Sequence, residues 1–303
     1  MPPQALSLGR PFHRGAPPSP VEAVRETDFD ALVSRMHACD AGYLPRDEYA
    51  PLLARPGRPH SRRPPLISIG TYLRAQELDR YVDTFLHTGS LCGSQPAAKR
   101  VQIVSLGAGS DTRFWRMASR AETLYRYVEL DFSESVQGKV DAIQHHAALE
   151  APLGHMHATP TALTSDKYAL LGVDLATLAT HPDQWATLTA QLDPECPTLL
   201  LCECVLAYLE QDAADALLAR LMEFAPQVSV LCYDMCIAGD APPGSAPTRF
   251  GQVMLQNLST RHLSLPGARA CTTPAAYATR FEALARKTAV TETKVTHDAY
   301  TLS

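Results

Sequence analysis

The sequence predicts an α/β fold in which a cap of helices precedes a doubly wound, mostly parallel β-sheet. From residue 101 onward, short apolar runs alternate with segments long enough for helices, and this alternation is typical of βαβ units. The runs are apolar at nearly every position, as are strands that are buried on both faces of a sheet. Ahead of residue 101, apolar residues recur at intervals of three and four, which predicts helices.

The first part of the chain is expected to form a tail and then the helical cap. Residues 1–24 begin with six prolines in twenty positions and have no long apolar run, which predicts a disordered tail rather than a signal peptide or membrane anchor. Residues 28–43 and 66–89 have helical periodicity, and Gly89 is a suitable C-cap for the second helix. The cap is therefore predicted to span residues 25–94.

The α/β domain is predicted to occupy residues 95–303. Five strands are expected within it, at residues 101–106, 124–130, 168–174, 198–204 and 227–234. Two further helices are expected, one after residue 247 and one over residues 273–290.

Composition and charge exclude several classes of protein. The net charge of −5 argues against a protein that binds nucleic acid mainly through its phosphates. No segment is apolar for 18 residues without a charge, so no transmembrane helix is expected. The eight cysteines show no C-x-x-C spacing, which argues against a structural zinc site and for free thiols. We expect a cytoplasmic, monomeric protein that binds no metal, membrane or nucleic acid.

The turn after the first predicted strand is a candidate binding site. Gly107 and Gly109 allow the backbone to bend tightly and to approach a ligand closely. The third glycine of the dinucleotide-binding fingerprint is replaced by Thr112, which makes a nicotinamide cofactor less favoured. A tight turn without a ligand is the alternative interpretation.

A carboxylate on the second strand strengthens the case for a nucleoside ligand. Asp131 lies 22 positions after Gly109, close to the roughly 20 positions expected for a carboxylate that binds ribose. Glu129 shares a strand face with Asp131 and competes for that role. Alternatively, one of the two carboxylates caps the next helix.

Other candidate residues follow the third and fourth strands, where ligands bind in open α/β sheets. Asp174 and Leu175 could bind an adenine, with the alternative that Asp174 caps a helix. Glu203 is a carboxylate in an otherwise apolar strand, which favours a functional role because an unpaired buried charge is costly. Strand alternation predicts that Cys202 and Cys204 point to one face and Glu203 to the other.

Two arginines of the predicted cap complete the candidate set. Arg35 and Arg74 lie on the two cap helices, and we expect both side chains to face the crevice at the strand ends. The alternative for each is an exposed position on a solvated helix face.

Five stretches, taken in order, resemble the leucine carboxyl methyltransferase family. They are VSLGAGSDTRFWRM (104–117), YVELDF (127–132), LLGVDL (170–175), PTLLLCECVLAYL (197–209) and RFGQVMLQNL (249–258). The similarity extends over about residues 25–262, and the first motif is specific to this family and its near relatives. The resemblance implies a class I S-adenosylmethionine-dependent methyltransferase that acts on the catalytic subunit of protein phosphatase 2A.

The resemblance also implies roles for individual residues. S-adenosylmethionine would be bound by Arg35, Arg74, Gly107, Asp131, Asp174, Leu175 and Glu203, and the turn geometry adds Gly109. The methyl group would go to the α-carboxylate of the phosphatase's C-terminal leucine, which is ionised at pH 7 and needs no general base. We expect Arg74 to anchor a carboxylate and Tyr208 to hydrogen-bond the incoming tail.

Two other functions stay open at this point. One is a related carboxyl methyltransferase that modifies tRNA, which the acidic net charge disfavours. The other is a catalytically impaired protein that binds the phosphatase or the cofactor. This second alternative arises because family members close the sheet with a C-terminal antiparallel strand pair, whereas residues 293–303 supply one strand at most. The pair is therefore expected to be incomplete and the C-terminus truncated.

Overall fold

The computed structural model describes residues 18–55, 57, 63–91, 100–119, 121–225 and 227–288. Within these residues, seven strands form one sheet: β1 (Val101–Leu106), β2 (Leu124–Asp131), β3 (Met156–Thr159), β4 (Ala162–Ser165), β5 (Tyr168–Gly172), β6 (Thr198–Glu203) and β7 (Val228–Tyr233). Their order across the sheet is β3-β4-β5-β2-β1-β6-β7. The strands from β5 to β7 in that order are all parallel, and β3 and β4 are antiparallel to their neighbours.

Helices precede and surround the sheet. They are α1 (Pro20–Asp40), α2 (Ala50–Leu53), α3 (Pro65–Thr88), α4 (Arg113–Met117), α5 (Ser133–His145), α6 (Ala147–Glu150), α7 (Pro182–Thr189), α8 (Gln211–Phe224), α9 (Arg249–Ser259), α10 (Pro266–Ala270) and α11 (Pro274–Lys287). No helix among the described residues has the length and apolar character needed to cross a membrane.

The core has two halves, one on each face of the sheet. Ile103 of β1 packs in a cluster with residues of α3, α4 and α5, whereas the next residue, Val104, packs with residues of α7, α8 and α11. Both residues are fully buried. This arrangement confirms the predicted doubly wound sheet, because a strand buried on both faces must be apolar at successive positions.

All five predicted strands are confirmed, but two strands were missed. The hairpin of β3 and β4 adds an antiparallel edge beside β5. Each of its strands has only four residues, several of them small or polar, so no apolar run marks them. At the opposite edge, no described strand pairs with the outer side of β7. Residues 293–303, for which one strand was expected, lie outside the described residues.

The cap begins earlier than its predicted first helix. Helix α1 starts at Pro20 rather than residue 28, because Ser19 and Glu22 form a capping box at its N-terminus. The Ser19 hydroxyl accepts the Glu22 N–H at 3.2 Å, and the Glu22 carboxylate accepts the Ser19 N–H at 2.7 Å. The predicted tail overlaps this helix at residues 20–24, and residues 1–17 lie outside the part of the chain that is described.

Helix α3 matches its prediction closely. It spans Pro65–Thr88, and Gly89 follows as a left-handed C-cap with φ +72°. The other cap segment, α2, is a single turn that begins after Asp47, whose carboxylate accepts the N–H groups of Tyr49 and Ala50 at 3.0 and 3.1 Å.

Candidate functional site

The glycine turn lies between β1 and α4, at the carboxyl edge of the parallel strands. Gly107 has φ +62° and Gly109 has φ +49°, a region that residues with a Cβ rarely adopt. A Cβ on Gly107 would lie 2.7 Å from a methyl group of Val205 and 4.0 Å from one of Leu175. Gly107 therefore lets the chain after β5 and the chain after β6 pack against the turn.

Asp131 faces this turn from the end of β2. One carboxylate oxygen accepts the Gly109 N–H at 2.7 Å, and the other accepts the Phe132 N–H at 2.7 Å. Burial raises the pKa of Asp131 above its usual range, against the lowering effect of the Gly109 hydrogen bond. Asp131, the residue predicted to bind ribose, thus lies beside the glycine turn. Its role in binding stays a prediction.

Glu129, the competing carboxylate, lies deeper in the molecule. Its side chain is fully buried, 2.5 Å from the Lys139 ammonium, and accepts the Tyr168 hydroxyl at 2.8 Å. Lys139 also donates to the carbonyls of Gly109 and Asp111, at 3.0 and 2.8 Å. Burial raises the pKa of Glu129 to about 7. Glu129 is therefore the buried partner of the lysine that binds the carbonyls of the turn.

Glu203 and Arg74 meet at the end of β6. Arg74 Nε lies 2.9 Å from Glu203 Oε1, although its N–H is not aligned for a hydrogen bond. Arg74 also donates through Nη1 to the Cys204 sulfur at 3.6 Å. Despite burial, the nearby Cys204 and Glu203 raise the pKa of Arg74, which keeps it cationic. The expected position of Arg74 at the crevice agrees with this contact.

The predicted orientation of Cys204 was wrong. Alternation placed Cys204 on the face opposite to Glu203, but Arg74 contacts both side chains. The reason is that Cys204 lies just after β6 with φ +53°, so the pleat ends before it. A left-handed conformation is strained for a residue with a Cβ, and such strain is concentrated at functional sites.

Arg113 joins the turn to Glu203 and was not identified from the sequence. Its side chain is only 4% exposed and lies 2.8 Å from Asp79, 2.5 Å from Asp111 and 3.1 Å from Glu203. Arg116 lies 2.5 Å from the same Asp79. Burial alone would raise the pKa of Asp79, but the two arginines hold it well below its usual range. The available signal in the sequence was the close spacing of Asp111, Arg113 and Arg116 directly after an apolar strand.

Arg35 points to a carboxylate of the cap. Its Nε lies 2.5 Å from Asp47, and the Thr112 hydroxyl donates to the same oxygen at 2.6 Å. Thr112 is fully buried, so the residue that replaces the third glycine anchors the cap to the turn. Arg35 thus reaches the turn through Asp47, and its direct contact with a cofactor stays a prediction.

Asp174 and Leu175 follow β5 at the same edge. Asp174 is exposed, and one oxygen accepts the Ala176 N–H at 2.9 Å in a local turn. Among the described residues, its other oxygen has no hydrogen-bond partner. Leu175 is buried beside Gly107. An exposed acceptor next to an apolar side chain suits the edge and face of a purine ring.

Tyr208 lies in a short 3₁₀ turn, Leu206–Tyr208, after β6. Asp234 holds this turn by accepting the Ala207 N–H at 2.8 Å. Burial raises the pKa of Tyr208 to about 12, so its hydroxyl is protonated at neutral pH. Its role toward a substrate stays a prediction.

Comparison with known proteins gives a consistent result. Residues 25–222 match the family model of leucine carboxyl methyltransferase. Leucine carboxyl methyltransferase 1 of Mycosarcoma maydis is 35% identical, over 86% of this chain and 66% of that protein. The protein of the same name from Bos taurus is 30% identical, over 88% of this chain and 77% of its own length. The chain thus spans about two thirds to three quarters of these relatives.

Similarity to solved structures is weaker. The mitomycin 7-O-methyltransferase MmcR overlays with a TM-score of 0.34 at 14% identity, over 89% of this chain and 67% of that one. The sequence matches establish the family of this chain, because the family model covers more than half of the chain and includes four of the five motifs. This chain belongs to the leucine carboxyl methyltransferase family, a family of methyltransferase enzymes.

Proposed function

We propose that the protein transfers a methyl group from S-adenosylmethionine to the C-terminal leucine carboxylate of the protein phosphatase 2A catalytic subunit. The main support, beyond family membership, is that contacts join the end of β2, the end of β6 and the cap beside one glycine turn. Asp131 bonds to Gly109, Glu203 contacts Arg113 at the start of α4, and Arg74 of the cap contacts Glu203.

The residues present fit the adenosylmethionine cofactor. Asp131 would accept from the ribose hydroxyls, and Asp174 and Leu175 would hold the adenine. The methionine part carries an ammonium and a carboxylate, which suit Glu203 and Arg74. Arg74 Nε lies 2.9 Å from Glu203 Oε1, and its N–H has no aligned hydrogen-bond partner among the described residues, so a cofactor carboxylate would share this guanidinium with Glu203. When bound, the cofactor supplies an electrophilic methyl group on a sulfonium.

The chain's own residues would act mainly by positioning. A C-terminal carboxylate has a pKa of about 3.3–3.7 and is ionised at pH 7, so no base is needed. Tyr208, with its pKa raised to about 12, would donate a hydrogen bond to the incoming tail. Arg74 would hold a carboxylate through its guanidinium. Fixing the two reactants in line and excluding water would lower the barrier by several kcal/mol.

Transfer of radioactive label tests the proposal. The purified protein is incubated with methyl-labelled S-adenosylmethionine and the phosphatase core enzyme, and a phosphatase that lacks its terminal leucine is the matched control. We expect label on the intact phosphatase only, and we expect mild base to release it as methanol, because it is an ester. Absence of label, or label that resists base, contradicts the proposed reaction.

The competing function is the catalytically impaired binder that the sequence analysis left open. Thermal unfolding with and without S-adenosylmethionine separates the two. A ligand at 100 times its dissociation constant stabilises the folded state by about 2.7 kcal/mol. Stabilisation without methyl transfer would favour the binder, and stabilisation with transfer would favour the enzyme.

A further inference from the structure

Two backbone N–H groups of the glycine turn are bound by carboxylates from other elements. The Gly109 N–H donates to Asp131 at 2.7 Å, and the Ser110 N–H donates to Asp28 of α1, also at 2.7 Å. The Ser110 hydroxyl donates to the second oxygen of Asp28 at 2.8 Å. The cap therefore contributes a carboxylate that engages both donors of Ser110.

The neighbouring amides of the turn are also satisfied within the protein. The Ala108 N–H donates to the Leu130 carbonyl at 3.1 Å, and the Asp111 N–H donates to the Ala108 carbonyl at 3.0 Å. In dinucleotide-binding folds, amides at this turn and at the following helix bind a pyrophosphate. Here, the four amides from Ala108 to Asp111 already have acceptors in the chain.

The absence of a side chain at Gly109 is what allows Asp28 to approach. A Cβ built on Gly109 would collide with the Asp28 carboxylate. The close approach that a glycine permits in this turn is therefore made by an acidic side chain of the cap. In a dinucleotide-binding protein, the glycine at this turn instead lets the backbone approach a phosphate of the cofactor.

Within the described residues, the Asp28 carboxylate forms no direct ion pair. In the described part of the chain, no lysine, arginine or histidine nitrogen lies within 4.0 Å of its carboxylate. Lys139 binds the carbonyl of Gly109 and pairs with Glu129, and Arg25 lies 3.8 Å from Glu134. A cavity of about 60 Å³ borders both Asp28 and Gly109, so solvent or a ligand group can reach this side of the turn. Its lining also includes Glu26 and three cations, Arg25, Arg55 and Lys139, of which Arg55 lies 3.9 Å from Glu26.

We propose that Asp28 is a specificity-determining residue that sets the charge preference of the cofactor site. It occupies donors that would otherwise bind phosphate, and with Asp131 it adds negative charge that favours a cationic ligand. The inference rests on the proposed function, since S-adenosylmethionine has a sulfonium and an ammonium, whereas nucleotide cofactors have phosphates.

Calorimetric binding of three adenosine ligands tests this inference. The ligands are S-adenosylmethionine, adenosine and adenosine 5′-monophosphate, which share the nucleoside and differ in charge. Asp28→Asn removes the charge and keeps an acceptor for Ser110, and Asp28→Ala also frees the Ser110 donors. Asp212→Asn, at an exposed position of α8, is the control for net charge.

We expect the wild-type protein to prefer S-adenosylmethionine over adenosine 5′-monophosphate. Asp28→Asn should lower the ratio of the two affinities roughly tenfold, Asp28→Ala should lower it further, and Asp212→Asn should leave it unchanged. An unchanged ratio in both Asp28 variants overturns the inference, as does an equal loss of affinity for all three ligands, which indicates a structural role only. Failure of the wild-type protein to bind S-adenosylmethionine instead contradicts the proposed function.

Discussion

The carboxyl edge of the sheet has two regions that are built differently. Around the glycine turn, buried arginines and carboxylates pair across α1, α3, α4 and the end of β6. Around the end of β7 and α9, large apolar side chains are exposed: Tyr233 is 40% exposed, Phe250 71% and Val253 47%. We call these the charged region and the apolar region.

The difference indicates how the two regions can be used. Buried ion pairs fix a geometry, because breaking one leaves an unpaired charge in a medium of low dielectric constant. Exposed apolar side chains make few contacts within the folded protein and therefore constrain its geometry little. Asp30 of α1 lies 2.7 Å from Arg63 and 2.5 Å from Arg261, so this carboxylate joins the segment before α3 to the segment after α9.

The largest expected effect is in the charged region, at Arg113. Arg113→Met should reduce the free energy of unfolding by about 3–5 kcal/mol, because it leaves Asp79, Asp111 and Glu203 without their shared cation. Urea unfolding measures the loss. Arg249→Met, at an exposed position of α9, is the control and should change stability by less than about 0.5 kcal/mol. Equal losses in the two variants would remove the distinction between the regions.

The next largest effect concerns Arg74. Arg74→Ala should weaken binding of S-adenosylmethionine by roughly 100-fold while the protein stays folded, because a guanidinium that holds a ligand carboxylate is lost. Calorimetry measures the affinity and circular dichroism the fold. Arg80→Ala, on the outer side of the same helix and paired with Glu77, is the matched control and should bind normally. Normal binding by Arg74→Ala would remove this residue from the site.

A pH effect of intermediate size is expected from Glu129. Its pKa is about 7 in the folded protein and near its ordinary value of 4.5 when unfolded, so the folded state binds the proton more tightly. Stability should therefore fall by about 3 kcal/mol as pH rises from about 4.5 through 7. Glu129→Gln should flatten this part of the stability curve, and exposed Glu122→Gln should not. The curve is measured by urea unfolding at several pH values.

The smallest effect is expected in the apolar region. Phe250→Ser should change the free energy of unfolding by less than about 0.5 kcal/mol, since most of the Phe250 side chain is already in contact with solvent. Thermal unfolding measures this change, and Phe114→Ser, in the core, is a destabilising control. A large loss of stability at Phe250 would show that the apolar region is part of the folding core.

Much of the fold could be predicted because it depends on local pattern. The parallel strands are continuous apolar runs, and the turn after β1 needs glycine at both left-handed positions. The β3–β4 hairpin could not be predicted in this way, since its four-residue strands bury little apolar surface. Alternation also failed at Cys204, where the strand had already ended.

The sequence predicted where several of the candidate residues lie, but not which side chains they contact. Asp131 and Glu203 lie at the expected strand ends, and Arg74 lies beside Glu203. The pairing of Arg35 with Asp47, the role of Arg113 and the contact of Asp28 with Ser110 were not predicted. A helical pattern identifies which face of the cap is apolar, but not which charged side chain of that cap meets which partner.

The sequence by itself determined the parallel sheet, the glycine turn and the family, because these follow from local backbone preference, apolar periodicity and short ordered motifs. Only the tertiary structure decided the charge pattern around the turn. Asp28 and Ser110 are 82 positions apart, and Arg74 and Cys204 are 130 apart. Such pairs form only when the cap docks on the sheet, and docking depends on the packing of whole helices, which no local pattern contains.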